Sequence, residues 1–172
     1  MKRVDAVIHA LRRPLRVLSF LFMAAALAAC QSVPQPTGFN AAQVAALKAE
    51  GFVETDAGWT LTLPERLLFA TDESNLKPDQ IETISKIAAR LSAVGITSAR
   101  VEGHTDSVGS SAYNLKLSQA RAQAVAAPMQ ANGMSLAPDQ VIGRGEALPL
   151  SSNATAEGRQ DNRRVVVIVW PQ

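Results

Sequence analysis

Residues 103–122 read GHTDSVGSSAYNLKLSQARA, and they place an acid and a base at the two ends of one structural unit. Asp106 lies in a glycine-bounded loop that follows a strand pattern over 98–104, and Arg121 lies on the helix that comes after the loop. Asn114 and Arg121 are seven residues apart, so they share one stripe of that helix. The spacing predicts that Asp106 and Arg121 face a shared cleft, an arrangement that suits the binding of a small zwitterion.

Other interpretations of this segment are a simple ion pair or a catalytic site. A surface salt bridge between Asp106 and Arg121 is the plain alternative, and it would contribute about 0–1 kcal/mol. His104 is the only histidine beyond residue 29, which excludes a site of several histidines. His104, Asp106 and Ser107 are too close in sequence to converge as a catalytic triad. We therefore expect no enzyme activity, no metal and no cofactor.

The flanking segments predict an α+β fold. Strand and helix patterns alternate in the order β-α-β-α-β-(α)-β, which predicts a two-layer sandwich with a mixed four-stranded sheet and helices packed on one face. Pro64 interrupts the first strand, which should bend and continue towards 67–69, and Pro128 should kink or end the second long helix. The predicted strands are 59–63, 98–104, 140–143 and 163–170, and the predicted helices are 40–50, 78–95 and the one that begins near 110.

The N-terminus has the pattern of a bacterial export signal. Five of the 17 basic residues precede an apolar run of thirteen residues over 17–29, which is shorter than the roughly twenty needed to span a bilayer. The sequence Leu-Ala-Ala-Cys at 27–30 resembles the lipobox, and Cys30 is the only cysteine. We therefore expect 1–29 to be a signal peptide, Cys30 to be lipidated and 30–38 to be a tether, with a short membrane anchor as the alternative.

Charge and sorting signals narrow the location. Residues 1–29 hold five basic residues and one acidic residue, which leaves twelve basic and fourteen acidic residues in 30–172. A body with a net charge of −2 gives no electrostatic reason to expect a nucleic-acid partner. Gln31, rather than aspartate, follows the cysteine, and the resemblance to bacterial lipoprotein sorting signals implies delivery to the outer membrane. The expected location is the periplasmic face of that membrane, through the lipid anchor.

Residues 61–172 form the expected main domain, and a series of motif residues lies within it: Glu102 to Asp106, Gly109, Tyr113, Asn114, Leu117, Ser118, Arg121, Ala122, Gly143, Gly145, Glu146, Gly158, Arg159 and 162–164. With these residues in this order, the segment 67–169 resembles the OmpA-like domain shared by OmpA, Pal and MotB proteins. The resemblance implies the OmpA-like sandwich and binding of peptidoglycan through the meso-diaminopimelate of its stem peptide. It also implies that Asp106 receives the ammonium group and Arg121 the carboxylate; the further implied binding residues are Asp72, Asn114, Gly109, Ser107 and Arg163.

The segment 39–60 contains QVAALKAEGFVE at 43–54 and Gly58-Trp59, which are similar to the N-terminal segment of YfiB-type lipoproteins, and LSAVGITSAR at 91–100 continues that similarity. That resemblance implies a region that sequesters a YfiR-like periplasmic repressor and so releases a diguanylate cyclase that makes cyclic di-GMP. Two alternatives stay open: the segment merely covers the sheet of a purely structural Pal-like anchor, or it engages this second protein. A homodimer is a further candidate assembly.

Overall fold

The computed structural model describes residues 38–69 and 73–171. The expected signal peptide, the expected tether up to residue 37 and Asp72 lie outside them. The helices are α1 (Ala41–Ala49), α2 (Glu65–Leu68), α3 (Pro78–Ala93), α4 (Ser111–Ala131) and α5 (Ala156–Asn162), and the strands are β1 (Val53–Thr55), β2 (Gly58–Pro64), β3 (Arg100–His104), β4 (Val141–Gly143) and β5 (Arg164–Val169). A short 3-10 helix, Pro138–Gln140, precedes β4.

The strands form one mixed sheet in the order β1-β2-β5-β3-β4. Only β3 and β4 run parallel, and the other neighbouring pairs are antiparallel. The predicted α+β fold is confirmed, but the sheet has five strands rather than four. The additional strand β1 pairs with β2 across the turn at 56–57, and all three of its residues are exposed, so it carries no apolar alternation that could predict a strand.

The chain after Pro64 differs from the expectation that the strand bends and continues. Pro64 is the last residue of β2 paired with β5, and the four-residue helix α2 follows it. The Glu65 amide donates to the Arg163 carbonyl at 3.0 Å, so α2 begins beside the start of β5. Leu68 and Phe69 are buried in the core, and Glu65 is thereby placed at the end of the sheet where the Asp106 loop lies.

Helix α4 lies directly against β3 and β4, because glycines on these strands permit close approach. A Cβ atom on Gly103 would overlap the Ser118 carbonyl oxygen, and one on Gly143 would lie 2.5 Å from the Gln119 nitrogen. Pro128 does not end this helix, which runs on to Ala131. Val125 and Met129 are buried on either side of the proline, and their burial offsets its missing backbone donor.

The segment 39–60 contributes to the core. Asn40 caps α1, as expected, by accepting from the Gln43 amide, and Leu47 is fully buried. Phe52 and Trp59 are also buried, and β2 includes residues on both sides of the boundary we drew at 60/61. None of the helices in 38–69 and 73–171 is long and apolar enough to cross a bilayer.

Candidate functional site

A cavity of about 410 Å³ opens where α2, the loop after β3, and helices α4 and α5 meet. The predicted residues Asp106, Asn114, Arg121 and Arg163 all line it. Ser107 and Gly109 do not, although Val108 between them does. Asp72 lies outside the described residues. The sequence therefore predicted four of the residues that share this cavity.

Asp106 is held in place by the loop that carries it. Its Oδ1 atom accepts a hydrogen bond from the Val108 amide at 2.9 Å, and its Oδ2 atom accepts one from Nη1 of Arg163 at 2.6 Å. Gly109 has φ +96°, a left-handed conformation that turns the chain towards α4. The carboxylate is buried, but it borders the cavity, so an incoming cation can reach it.

Arg121 is buried to an unusual degree for an arginine, with only 2% of its surface exposed. Its Nε atom donates to the Glu73 carbonyl at 3.0 Å, and its Nη2 atom donates to Oε1 of Glu65. The guanidinium lies over the Phe69 ring, 5.3 Å from the ring centroid. The guanidinium is therefore oriented by Glu65, the Glu73 carbonyl and the Phe69 ring, and its Nη1 atom has no acceptor in the part of the chain that the structure describes.

Glu65 links Arg121 to Asp106 through a second arginine. Its Oε2 atom lies 2.7 Å from Nε of Arg163, which in turn donates to Asp106. Burial opposes the charge of Arg163, but the hydrogen bond to Asp106 and the charges of Glu65 and Asp106 outweigh this and raise the pKa of Arg163. Asp106 and Arg121 therefore do not form the simple surface pair that was the alternative; each is paired with another residue in a chain of two cations and two anions.

Asn114 fixes the loop rather than extending freely into the cavity. Its side-chain amide donates to the Asp106 carbonyl at 3.3 Å and to Oε2 of Glu146. Ser111 donates to the other Glu146 oxygen at 2.8 Å. These hydrogen bonds from Asn114 and Ser111 lower the pKa of Glu146. Asn114 thus ties the Asp106 loop, α4 and the chain after β4 together.

The sequence interpretation missed Glu65, Arg66 and Arg159 as cavity residues. Arg159 belongs to the motif quoted for the family resemblance, but Glu65 and Arg66 reach the cavity only because the chain turns into α2 after Pro64. The described lining residues carry four arginines (66, 121, 159 and 163) and two carboxylates (65 and 106), a formal net charge of +2. The described residues hold no group of three or more metal-binding side chains. The chemistry that this cavity offers is the pairing of charged groups.

Comparisons with known proteins agree with the α+β fold and identify the family. The OmpA family model matches residues 68–163. The outer-membrane lipoprotein YfiB of Pseudomonas aeruginosa is 42% identical over 155 residues, which are 90% of this chain and 92% of that protein. The putative lipoprotein YfiB of Escherichia coli is 39% identical over 89% of this chain and 95% of that one. Among solved structures, the cell wall anchor of the T6SS from P. aeruginosa matches with a TM-score of 0.57 and 31% identity over 76% of this chain and 95% of that chain.

The fold and the matched segment define the class: a protein that carries an OmpA-like domain. The chain belongs to the OmpA family and, within it, to the YfiB-type lipoproteins of the outer membrane. The relatives reported above are named as lipoproteins or as a cell wall anchor, and none of these names describes an enzyme.

Proposed function

We propose that this lipoprotein binds peptidoglycan non-covalently by holding the zwitterionic end of diaminopimelate in the cavity of Asp106 and Arg121. The observation that carries the proposal is the buried Arg121, whose guanidinium is oriented by Glu65 and the Glu73 carbonyl and still borders an open cavity. A buried arginine with a fixed fork is suited to a carboxylate, because two parallel hydrogen bonds can form at once.

Asp106, at the opposite end of the chain of charges from Arg121, is suited to the ammonium group of the ligand. Asp106 offers a carboxylate whose Oδ2 atom is shared with the more exposed Arg163. An ammonium group at this position can donate to the Asp106 carboxylate in place of Arg163, while Arg163 turns towards the ligand carboxylate. Phe69, Tyr113 and Leu117 line the same cavity and can cover the methylene chain of diaminopimelate. The similarity to a protein named as a cell wall anchor supports such a role.

The test is binding to soluble diaminopimelate and to insoluble peptidoglycan sacculi. Each charged hydrogen bond contributes about 1.5–3 kcal/mol, so Arg121→Ala and Asp106→Ala should each lower affinity at least tenfold. Lys116→Ala is the matched control, because Lys116 is exposed on the same helix and does not line the cavity. Retention of wild-type binding by both cavity variants, with correct folding, would disprove the site.

A ligand comparison tests which group Arg121 holds. A stem peptide with lysine in place of diaminopimelate keeps the ammonium group but lacks the neighbouring carboxylate. We expect the wild type to bind the lysine peptide at least tenfold more weakly, since the charge-assisted pairing with Arg121 is lost. Arg121→Ala should bind both peptides equally weakly. Equal binding of both peptides by the wild type would contradict the assignment of Arg121 to the carboxylate.

The proposed attachment to the membrane is the lipid on Cys30. Removal of residues 1–29 and acylation of Cys30 would leave the tether 30–38 between the membrane and α1. Acyl chains anchor a protein stably when more than one is present. Cys30→Ser should move the protein from the membrane fraction to the soluble periplasmic fraction, and mass spectrometry of the wild type should find an acylated N-terminal cysteine. An unmodified Cys30 in membrane-bound protein would contradict this attachment.

A second proposal is that residues 39–60 bind a periplasmic protein such as a YfiR-like repressor and so affect a diguanylate cyclase. One observation favours it: β1 is an edge strand whose three residues are exposed, with Val53 64% exposed. The buried Leu47, Phe52 and Trp59 favour the alternative, a segment that covers the core. Capture of a specific periplasmic protein by the wild type but not by Val53→Asp would support the signalling role. If the protein binds peptidoglycan but captures no such partner, the purely structural anchor is favoured, whether the protein is a monomer or a homodimer.

A further inference from the structure

The cavity is lined by charged residues in addition to those of the proposed diaminopimelate site. Arg121, Glu65, Arg163 and Asp106 form a chain of alternating sign with no net charge. The zwitterionic end of diaminopimelate is also neutral, so its binding leaves the balance unchanged. Arg66 and Arg159 line the same cavity beyond this chain and account for its formal charge of +2 among the described residues.

The fold places these two arginines on the same side of the cavity. Arg159 and Arg163 are one helical turn apart in α5 and its C-cap, and the Arg163 amide donates to the Arg159 carbonyl at 3.2 Å. The Glu65 amide donates to the Arg163 carbonyl, which brings the start of α2, and with it Arg66, beside the same turn. One Arg159 nitrogen, Nη1, is engaged with the Asn153 carbonyl at 2.9 Å, so this side chain is positioned.

Neither arginine has an acidic partner among the described residues. No carboxylate in 38–69 or 73–171 lies within 4.0 Å of the Arg66 or Arg159 guanidinium. Arg66 also borders a smaller cavity of about 200 Å³, whose lining includes the carboxylates of Glu157 and Asp161; Asp161 accepts a hydrogen bond from Ser151 at 3.0 Å, and neither carboxylate lies within 4.0 Å of Arg66. Two cations at the edge of a ligand cavity, with no ion-paired carboxylate among residues 38–69 and 73–171, favour a ligand with one more negative charge than its zwitterionic end provides.

We infer that Arg66 and Arg159 form a second anion subsite, which binds the free α-carboxylate of the D-glutamate next to diaminopimelate in the stem peptide. The inference rests on the proposed function, because it extends the same ligand out of the same cavity. D-glutamate is joined to diaminopimelate through its side-chain carboxyl, so its α-carboxylate stays free, one residue from the gripped end. A cavity of about 410 Å³ lies within the range of about 300–1,000 Å³ typical of ligand pockets and has room beyond one amino-acid end.

The subsite predicts that the protein distinguishes stem peptides by amidation. In many cell walls the D-glutamate α-carboxylate is converted to an amide, which removes its charge but keeps its size. Arg66 is exposed and its pairing is screened by water, so we expect a preference of about fivefold for the carboxylate over the amide form. Free diaminopimelate lacks this group, so its affinity should not depend on Arg66.

The test is titration calorimetry of the purified full chain in detergent micelles with three ligands. The ligands are free meso-diaminopimelate and the tetrapeptide L-Ala-γ-D-Glu-diaminopimelate-D-Ala with its D-glutamate either free or amidated. Arg66→Gln should weaken binding of the free tetrapeptide about fivefold and leave the amidated tetrapeptide and diaminopimelate unchanged. Arg66→Lys should keep most of the preference, and Arg159→Gln, with its folding checked by urea denaturation, should reduce it.

Lys116→Gln is the matched control, since it removes a positive charge from α4 away from the cavity. Equal affinity of the wild type for the free and amidated tetrapeptides would overturn the inference. So would an Arg66→Gln variant that weakens both tetrapeptides alike, which would assign Arg66 to the terminal D-alanine carboxylate. Failure of the proposed function looks different, because free diaminopimelate would then not bind and Arg121→Ala would change nothing.

Discussion

Glu65 offers the sharpest test of how the cavity is built, because its carboxylate is paired with Arg121, the residue proposed to bind the ligand carboxylate. Only 12% of this side chain is exposed, and it contacts the buried Arg121 and the half-buried Arg163. Glu65→Gln keeps the size and one acceptor oxygen but removes the negative charge. We expect the variant to be less stable and yet to bind diaminopimelate more tightly.

The loss of stability follows from the two contacts. A hydrogen bond to a charged group contributes about 1.5–3 kcal/mol and a neutral one about 1 kcal/mol. Weakening the contact with Arg121 by about 1.5 kcal/mol, and the more solvent-screened contact with Arg163 by about 0.5 kcal/mol, gives a loss of about 2 kcal/mol in the free energy of unfolding. For a domain of this size that corresponds to a melting temperature about 6 °C lower.

The same substitution should raise the affinity for diaminopimelate, although it lowers the stability, because the ligand carboxylate no longer competes with the Glu65 carboxylate for Arg121. Release of the Arg121 Nη2 donor should tighten binding of diaminopimelate about fivefold, which is about 1 kcal/mol. Glu73→Gln is the matched control: its side chain is exposed, and only its backbone carbonyl contacts Arg121. It removes the same charge from the same region and should change neither quantity.

Urea denaturation measures the first effect and titration calorimetry the second. Two results would refute the reasoning. An unchanged urea midpoint would mean that Glu65 does not stabilise the buried arginine. Binding weakened tenfold, as expected for Arg121→Ala, would mean that Glu65 orients the guanidinium for the ligand and does not compete with it.

Two further predictions concern the fold that carries the site. Gly103→Ala should lower the free energy of unfolding by about 3 kcal/mol or more, because its Cβ would overlap the Ser118 carbonyl and separate α4 from β3; a loss below about 1 kcal/mol in urea denaturation would contradict this close approach. His104 is buried, and burial together with the charge of Arg164 lowers its pKa from the ordinary 6.5 to about 4. The unfolded chain therefore takes up this proton first, so up to about 3 kcal/mol of stability present above pH 6.5 is lost as the pH falls towards 4. His104→Gln should flatten the stability curve in this interval, and an equally steep curve would show that other groups cause the acid sensitivity.

The sequence predicted those parts of the fold that regular periodicity and backbone chemistry decide. The apolar stripe of α3, the β-branched run of β5 and the loop that presents Asp106 are local features, and the structure contains all three. It could not predict β1, because an exposed edge strand of three residues has no buried face to leave a pattern. The prediction for the chain after Pro64 was also wrong. The backbone hydrogen bond between Glu65 and Arg163 that fixes this segment is a tertiary contact between residues 98 positions apart.

The same limit explains what the sequence revealed about the site. Asp106 and Arg121 lie fifteen residues apart in one loop-helix unit, so their shared cavity could be predicted from spacing. Their actual partners could not: Arg163 reaches Asp106 from the residue before β5, and Glu65 reaches Arg121 from the first residue of α2, directly after β2. The order β2-β5-β3 brings the termini of these strands together at one end of the sheet, and this proximity is not encoded in any single segment.

This arrangement also explains why the protein can keep a buried arginine ready for an anion. A buried guanidinium without a partner would cost several kcal/mol, and a ligand that is absent for part of the time cannot stabilise it. Glu65 supplies the missing anion in the free protein, and its own second partner, Arg163, is the most exposed member of the chain. Under the proposed function, exchange of partners among the four charges would let a zwitterion enter with no change in net charge, which would keep the desolvation cost of binding small. The alternation of charges would thus explain both how Arg121 stays stable without a ligand and how it can bind one.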